Sequence, residues 1–259
     1  SGILWNATQI RNSLHQPQNL FLKEEADVKR VDGSNFIASL EHSYQTVGMD
    51  ETLIITRSNK KAFLYANGIR SRVLYREEKL ENSDWLMVVK NNYSYGQDYG
   101  IELIANGDMA EVVRLRRSHS LYDMTFVEAT IRLVDYGAEI DVLLLEDSLL
   151  CESPQDLAQL QKKLFLAIEE DYAHIRNKRE RYKKMRQDEH LNALLVRMAY
   201  AVTCHKAQGG QWKHVYVDMG PIAKENWDAG FMRWLYTAVT RATEKLYLIQ
   251  FPDNLFKES

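Results

Sequence analysis

Apolar and polar positions alternate with different periods along the chain. Over residues 1–16, Ile3, Leu4, Ala7, Ile10 and Leu14 recur near helical spacing and predict a short amphipathic helix. Residues 16–34 are polar, are interrupted by Pro17 and Gly33, and read as a loop with at most one strand. Ser34 then caps a helix with Phe36, Ile37, Leu40 and Tyr44 on one face, and Gly48 ends it. A buried strand is predicted at 52–56, followed by a helix over 59–69 capped by Ser58.

From about residue 77 to 147 the pattern changes. Runs rich in Val, Ile, Leu and Tyr at 85–90, 109–116, 125–134 and 138–145 are separated by turn residues, among them Asn106-Gly107 and Tyr136-Gly137. Strands at this spacing predict a small antiparallel barrel or sheet, inserted into the rest of the chain. Pro154 opens a helical stretch over 155–188 that ends in the charged run 174–187, HIRNKRERYKKMRQ. Strands at 197–203, 215–218 and 246–251 then alternate with a helix at 229–243, the pattern of a mainly parallel sheet covered on both faces. The expected organisation is a first α/β part (1–76), an inserted β-barrel-like subdomain (77–150), and a long helix with the rest of the α/β domain (151–259).

Composition narrows this picture little. With 259 residues, 45% of them hydrophobic, the chain can bury the core of one large domain or two smaller ones. A net charge of −3 gives no global signal for nucleic acid, yet a basic groove can hide in a neutral average. The only cysteines, Cys151 and Cys204, form no CxxC pair, so a disulfide scaffold or zinc site is not expected and a reducing cytoplasm fits better. No apolar run approaches the roughly 20 residues of a membrane span, and no signal peptide is visible, so no membrane partner is expected. The Ser-Gly start fits an excised segment as well as the scar of a removed tag.

The candidate chemistry lies near the carboxyl end. The strand at 197–203 is nearly all apolar and ends in Thr203-Cys204-His205-Lys206, and in open α/β sheets the carboxyl ends of strands face the ligand crevice. A hydroxyl, an imidazole and an ammonium there suit phosphate oxygens, while Gly209-Gly210 lets the backbone approach closely. In the helix at 229–243, Phe231, Met232, Leu235, Val239 and Ala242 form the predicted buried stripe. Arg233, Thr237 and Arg241 share another face, from which an arginine can reach a neighbouring domain.

Residues 199–211 (AYAVTCHKAQGGQ) and 235–242 (LYTAVTRA) together resemble the last two motifs of superfamily 1 DNA helicases of the UvrD/RecD-like branch. Thr203, His205, Lys206, Gln208 and Gly209 match the family's T-x-H-K-x-Q-G run, which implies contacts of Thr203, His205 and Lys206 with single-stranded DNA. Gln211 stands where many relatives carry a glutamate that holds the nucleotide sugar. Residues 236–242 match Y-T-A-[IV]-T-R-A, which implies that Arg241 is a catalytic arginine finger acting on the transferring phosphoryl group. A surface arginine pairing with Glu244 or Asp228 is the alternative. Residues 52–70 resemble the family's fourth motif and bring Arg57 to the phosphates, although a solvated basic turn is an equal reading. The runs DWLMVVKNNY (84–93) and ANGDMAEV (105–112) resemble the barrel inserted into RecD-like and Dda-like helicases, with Ser83 and Ala110 replacing two glycines of that pattern. Asn92 and Tyr93 there either meet DNA or build a turn and a barrel edge.

The resemblance implies a second RecA-like motor domain, an α/β fold with an inserted antiparallel barrel. Its ATP and Mg2+ would be shared with an N-terminal RecA-like domain, and its nucleic-acid partner would be single-stranded or partly duplex DNA. Arg57, Gly209, Gln211 and Arg241 are the expected nucleotide contacts. None of the twelve glycines is followed by lysine, so the GxxxxGK[ST] loop of the first motor domain is missing here, and little ATP hydrolysis is expected of this segment alone. A non-catalytic nucleic-acid-binding or docking module with the same fold is the competing reading, and RNA could replace DNA as substrate. The run VLLLED (142–147) imitates a magnesium-binding strand, but its place inside the β-rich block makes it a strand end. The basic run at 178–186 is a solvated helix face rather than a phosphate track, because Glu169, Glu170, Asp171, Glu180, Asp188 and Glu189 offset it. No metal site is expected.

Overall fold

A computed structural model describes residues 1–256. The elements run α1 (Gly2–Asn12), β1 (Val28–Val31), α2 (Phe36–Val47), β2 (Thr52–Thr56) and α3 (Asn59–Arg72). Next come β3 (Trp85–Val88), β4 (Met109–Leu121), β5 (Met124–Leu133), β6 (Ala138–Leu145), α4 (Pro154–Asp171) and α5 (Lys178–Met185). The last are β7 (Val196–Met198), β8 (Ala201–Thr203), β9 (Trp212–Asp218), α6 (Ala229–Val239) and β10 (Ala242–Ile249). They fall into two compact units, one of Ser1–Tyr75 with the described residues from Tyr200 on, the other of Arg76–Ala199.

The first unit is α/β. Its five strands are all parallel, in the order β1-β10-β9-β2-β8. Every residue of β2 is buried, as are consecutive residues of β9 and β10, so helices cover both faces of the sheet. On one face Tyr216 of β9 stacks on Tyr247 of β10 with ring centroids 4.3 Å apart. Its hydroxyl meets Ser39 Oγ and Ser43 Oγ of α2 at 2.9 and 2.7 Å. This satisfied network lets a polar ring sit at 0% exposure without the penalty of an unpaired hydroxyl. The predicted cap of α3 is present: Ser58 Oγ accepts from Lys61 N at 3.1 Å.

The second unit holds the antiparallel strands in the order β6-β5-β4-β3-β7. Just before β7, Leu194 N donates to Leu143 O at 2.7 Å and Leu145 N donates to Leu194 O at 3.1 Å. These bonds join the first and last strands, so the sheet closes into a barrel around Leu86, Val112, Ile131, Ile140, Leu144 and Val196. The sequence pattern groups the helix α4 with the terminal α/β part. It packs instead in this unit, burying Leu157, Leu164 and Ile168 with Phe126 and Leu145. The apolar run 142–145 belongs to β6, and Asp147 accepts from Thr125 N at 2.6 Å, the role of a strand-end acid.

Three expectations about element boundaries change. The single strand at 197–203 is two: β7 joins the antiparallel sheet, and after Tyr200 the chain enters the parallel sheet as β8. The helix at 155–188 is broken at 172–177, where Asn177 Oδ1 caps a new helix by accepting from Arg179 N and Glu180 N at 3.0 and 3.2 Å. The last helix stops at Val239, because Thr240 turns its hydroxyl back to Tyr236 O and Thr237 O while Ala242 already pairs with Trp212.

Ser83 stands where the family's barrel pattern has glycine, and it adopts a left-handed φ of 65°. A residue with a side chain holds this conformation at a cost that glycine would not incur. Replacing it, Ser83→Gly, is expected to raise the stability of the barrel unit by about 1 kcal/mol. A denaturation midpoint that stays level or falls would contradict this.

Candidate functional site

The two carboxyl-terminal motifs meet along one side of α6. Thr203 ends β8 level with Thr56 of β2, which is in turn level with Asp218 of β9. From there the chain makes a helix-like turn: Thr203 O accepts from Lys206 N at 2.9 Å and from Ala207 N at 3.2 Å. Trp212, where the turn ends, is paired with Ala242 at the other end of β9. Segment 203–212 thus descends the sheet from its carboxyl edge to its amino edge, about 20 Å at roughly 3.3 Å per strand residue. Gly209 has φ +86°, a backbone conformation that favours glycine, and a Cβ on Gly210 would lie 2.3 Å from the Trp212 ring. Gly209 is therefore demanded by the backbone of the turn, while a larger residue at 210 would have to displace the Trp212 ring.

Arg241 lies in the turn between α6 and β10, not on the helix as the spacing predicted. Its side chain folds back along α6: Nε donates to Thr237 O at 3.1 Å and Nη2 to Thr240 Oγ1 at 3.3 Å. Nη1 donates to Gly210 O at 3.0 Å, which ties the two motifs together through one guanidinium. These bonds use three of the five N–H donors and leave the half-buried group oriented by two carbonyls and a hydroxyl rather than by an acid. Asp228, the suggested partner, instead caps α6 by accepting from Phe231 N at 2.7 Å. Gly209 and Gln211 are exposed beside Arg241's anchor.

At the carboxyl edge stand Arg57, Thr203 and the turn's first residues. Cys204 N donates to Thr56 O at 3.4 Å, and Cys204 Sγ donates to Trp234 O at 3.7 Å. Burial pushes the Cys204 thiol up to about 11, against the opposing pull of the Arg241 charge. The thiol is thus a packed apolar group rather than a nucleophile. Arg57 lies over Phe231 and Trp234, 5.3 and 5.9 Å from their centroids, and is exposed on its outer side. Thr203 and Lys206 are half-buried and His205 is exposed. Among the described residues no hydrogen bond or ring contact joins Arg57 to Arg241, so the expected nucleotide contacts issue from opposite edges of the sheet.

Sequence reasoning missed the acid in this row. Asp218 is 2% exposed and accepts from Tyr65 OH at 2.6 Å and from Gly220 N at 2.7 Å, with Lys61 Nζ at 3.4 Å. Burial, and then the hydrogen bond to Asp218, push the Tyr65 hydroxyl well above its ordinary value. A buried carboxylate closing an apolar strand was the available signal; its partners on α3 lie over 150 residues away in sequence. Among the described residues, no group of three or more His, Cys, Asp or Glu is placed to hold a metal ion.

Of the two barrel residues, Asn92 is 9% exposed and bonded through both ends of its carboxamide: Nδ2 donates to Asn192 O at 2.8 Å and Oδ1 accepts from Ser94 N at 2.9 Å. It builds the turn, one of the two roles its sequence allowed, and it also lines the cavity beside Tyr93. Tyr93 is 61% exposed beside a cavity of about 250 Å3 lined in part by Lys90 and Asn91.

These features define an α/β domain with its two terminal motifs in contact. Residues 198–249, which hold both motifs, match the family of the UvrD-like helicase C-terminal domain. Among solved structures, the chain is similar to the Pif1 helicase from Candida albicans, at 11% identity and a TM-score of 0.45, covering 97% of this chain and 54% of that one. It is also similar to the Pif1 helicase from Bacteroides in complex with ADP-AlF3 and ssDNA, at 12% identity and a TM-score of 0.46, covering 100% and 51%. The chain thus spans about half the length of these structures. A comparison with curated proteins found no match. Among the described residues, no helix is long and apolar enough to cross a membrane.

Proposed function

We propose that the chain is the second motor domain of an ATP-dependent DNA helicase, working with a separate RecA-like domain that carries the phosphate-binding loop. The observation that carries this reading is the Arg241–Gly210 hydrogen bond of 3.0 Å, inside a segment matched to a helicase domain family. ATP supplies the free energy of translocation, and its Mg2+ is held with it by the partner domain. This chain contributes the far side of the pocket. Arg241, with donors to spare, presents positive charge to a phosphoryl group, while Gly209 and Gln211 present a backbone amide and a carboxamide to the nucleotide. Arg57, at the opposite edge, reaches the phosphates only if the partner domain closes over the Phe231–Trp234 shelf.

Thr203, His205 and Lys206 offer a hydroxyl, an imidazole and an ammonium to the backbone of single-stranded DNA, contacts that position without reading sequence. Tyr93 offers a ring to a base. Because segment 203–212 runs from the DNA edge to the Arg241 edge, movement at one end is passed to the other through a single turn. A cytoplasmic role in DNA repair or recombination fits this activity.

The test is ATP hydrolysis by the polypeptide of the whole reading frame, with and without single-stranded DNA. Stimulation by DNA of tenfold or more is expected; a protein that binds DNA but hydrolyses no ATP would instead be a docking module.

A further inference from the structure

The basic run of the second unit lies on an exposed helix face, as its sequence implied, and what surrounds it adds to that picture. Arg176, Lys178, Arg179, Lys183, Lys184 and Arg186 are all exposed, and among the described residues none makes an ion pair. Three of the acids expected to offset them accept from phenol hydroxyls; they keep their charge, but among the described residues none is paired with these cations. Glu169 accepts from Tyr182 OH at 2.9 Å, and Asp171 accepts from Tyr122 OH. Asp188 accepts from Tyr172 OH at 3.0 Å and from His190 N at 2.9 Å.

Helix geometry sorts the cations. At 100° per residue, Arg179, Lys183 and Arg186 fall at i, i+4 and i+7 on one face, while Met185 on the other is 1% exposed in the core. Beside this stripe lies an apolar cavity of about 210 Å3, lined by Phe165, Tyr182, Met185, Arg186 and Leu191. The Phe165 ring is 37% exposed and sits 6.2 Å from that of Tyr182. The cavity is smaller than the roughly 300 Å3 at which drug-sized sites begin, so it suits a single ring system.

We infer that α5 and this cavity form a second binding surface for single-stranded nucleic acid, Arg179, Lys183 and Arg186 holding phosphates while Phe165 and Tyr182 receive a base. The inference rests on the helicase reading and names a contact that its motifs do not supply. A cationic stripe next to an aromatic platform is the combination that holds single strands without regard to sequence. A membrane surface fits less well, since a membrane-lying helix needs an exposed apolar face and α5 turns Met185 inward. An acidic protein partner lacks the large buried anchor site that such interfaces centre on.

The experiment is fluorescence anisotropy of the 259-residue chain with a labelled oligo-dT strand across a salt series. The variants are Arg179→Ala/Lys183→Ala/Arg186→Ala, Phe165→Ala, and His205→Ala/Lys206→Ala, each checked for an unchanged melting transition. Were the triple variant to melt early, its three single substitutions, each expected to weaken binding about twofold or more, would take its place. The triple variant should bind about tenfold more weakly or worse, with its log–log salt slope smaller by about 2, as expected for three lost phosphate contacts. Phe165→Ala should weaken binding about fivefold or more. Affinity and slope unchanged in the triple variant, with loss confined to His205→Ala/Lys206→Ala, would overturn this surface and leave the helicase reading standing. Absence of binding by the unaltered chain would overturn both. Displacement of the strand by polyglutamate as readily as by unlabelled oligo-dT would assign the stripe to an acidic protein instead.

Discussion

Substituting Arg241→Lys in the whole polypeptide is expected to lower DNA-stimulated ATP turnover by about 10³-fold or more, the scale on which arginine fingers act. The geometry explains why lysine cannot substitute. The guanidinium donates to Thr237 O, Gly210 O and Thr240 Oγ1 through three different nitrogens, and it still has N–H groups for a phosphate oxygen. An ammonium has three donors on one atom, so it cannot span these acceptors and point outward as well. Because the loss falls on charge developing in the reaction, kcat should drop while the KM for ATP and the Kd for DNA stay within a few-fold. A small loosening of the Gly209-Gly210 turn should accompany it, visible as faster amide exchange at residues 208–211. Retention of more than a third of the ATPase rate by the lysine variant would remove Arg241 from the catalytic machinery and leave it a strut between two turns.

Much of the architecture was legible because local chemistry and tertiary burial agree. Residues 52–56 carry the apolar run Leu53–Ile55 and form a buried interior strand with matching bounds, and Ser58 caps the helix that follows. The errors arose where a long-range hydrogen bond overrode a local pattern. The apolar run across 197–203 carries no mark of the change of sheet, since Val196–Met198 and Ala201–Thr203 are equally suited to either partner. Arg241 continued the helical period of Arg233 and Thr237, yet pairing of Ala242 with Trp212 ended the helix first. In the candidate site, the identities of Thr203, His205, Lys206 and Arg241 were legible from motif spacing. Their division between two edges was not, because it depends on strand register. Likewise the acids close to α5 are visible in sequence, but not that Glu169, Asp171 and Asp188 face phenol hydroxyls rather than its cations.

The second large effect is on stability and centres on Asp84→Ala, which is expected to cost the barrel unit about 3–5 kcal/mol. Asp84 is 0% exposed and pairs through Oδ1 with Arg76, whose side chain is itself only 12% exposed. Its Oδ2 accepts from Glu81 N at 2.7 Å, and its carbonyl accepts from Val112 N at 2.9 Å, so one residue joins the entry loop to β4. Glu81 in turn accepts through Oε1 from Glu77 N and Glu78 N at 3.0 and 3.1 Å, which extends the lock back along the loop. Removing the carboxylate takes one counter-charge from a largely buried guanidinium and the side-chain acceptor from the Glu81 amide, and both penalties act in the same direction. Hydrogen exchange by mass spectrometry isolates the effect where a whole-chain melt of two units would blur it. Amides of β3 and β4 should exchange about 10²-fold faster or more in the variant, since each 1.4 kcal/mol is a factor of ten, while those of β2 and β9 keep their rates. The pair, rather than either charge, is what the barrel needs. Arg76→Met/Asp84→Leu, which removes both charges and fills the space, should therefore recover most of the protection lost in Asp84→Ala. A double variant as labile as the single one would mean that the hydrogen bond to Glu81, not the ion pair, holds the loop.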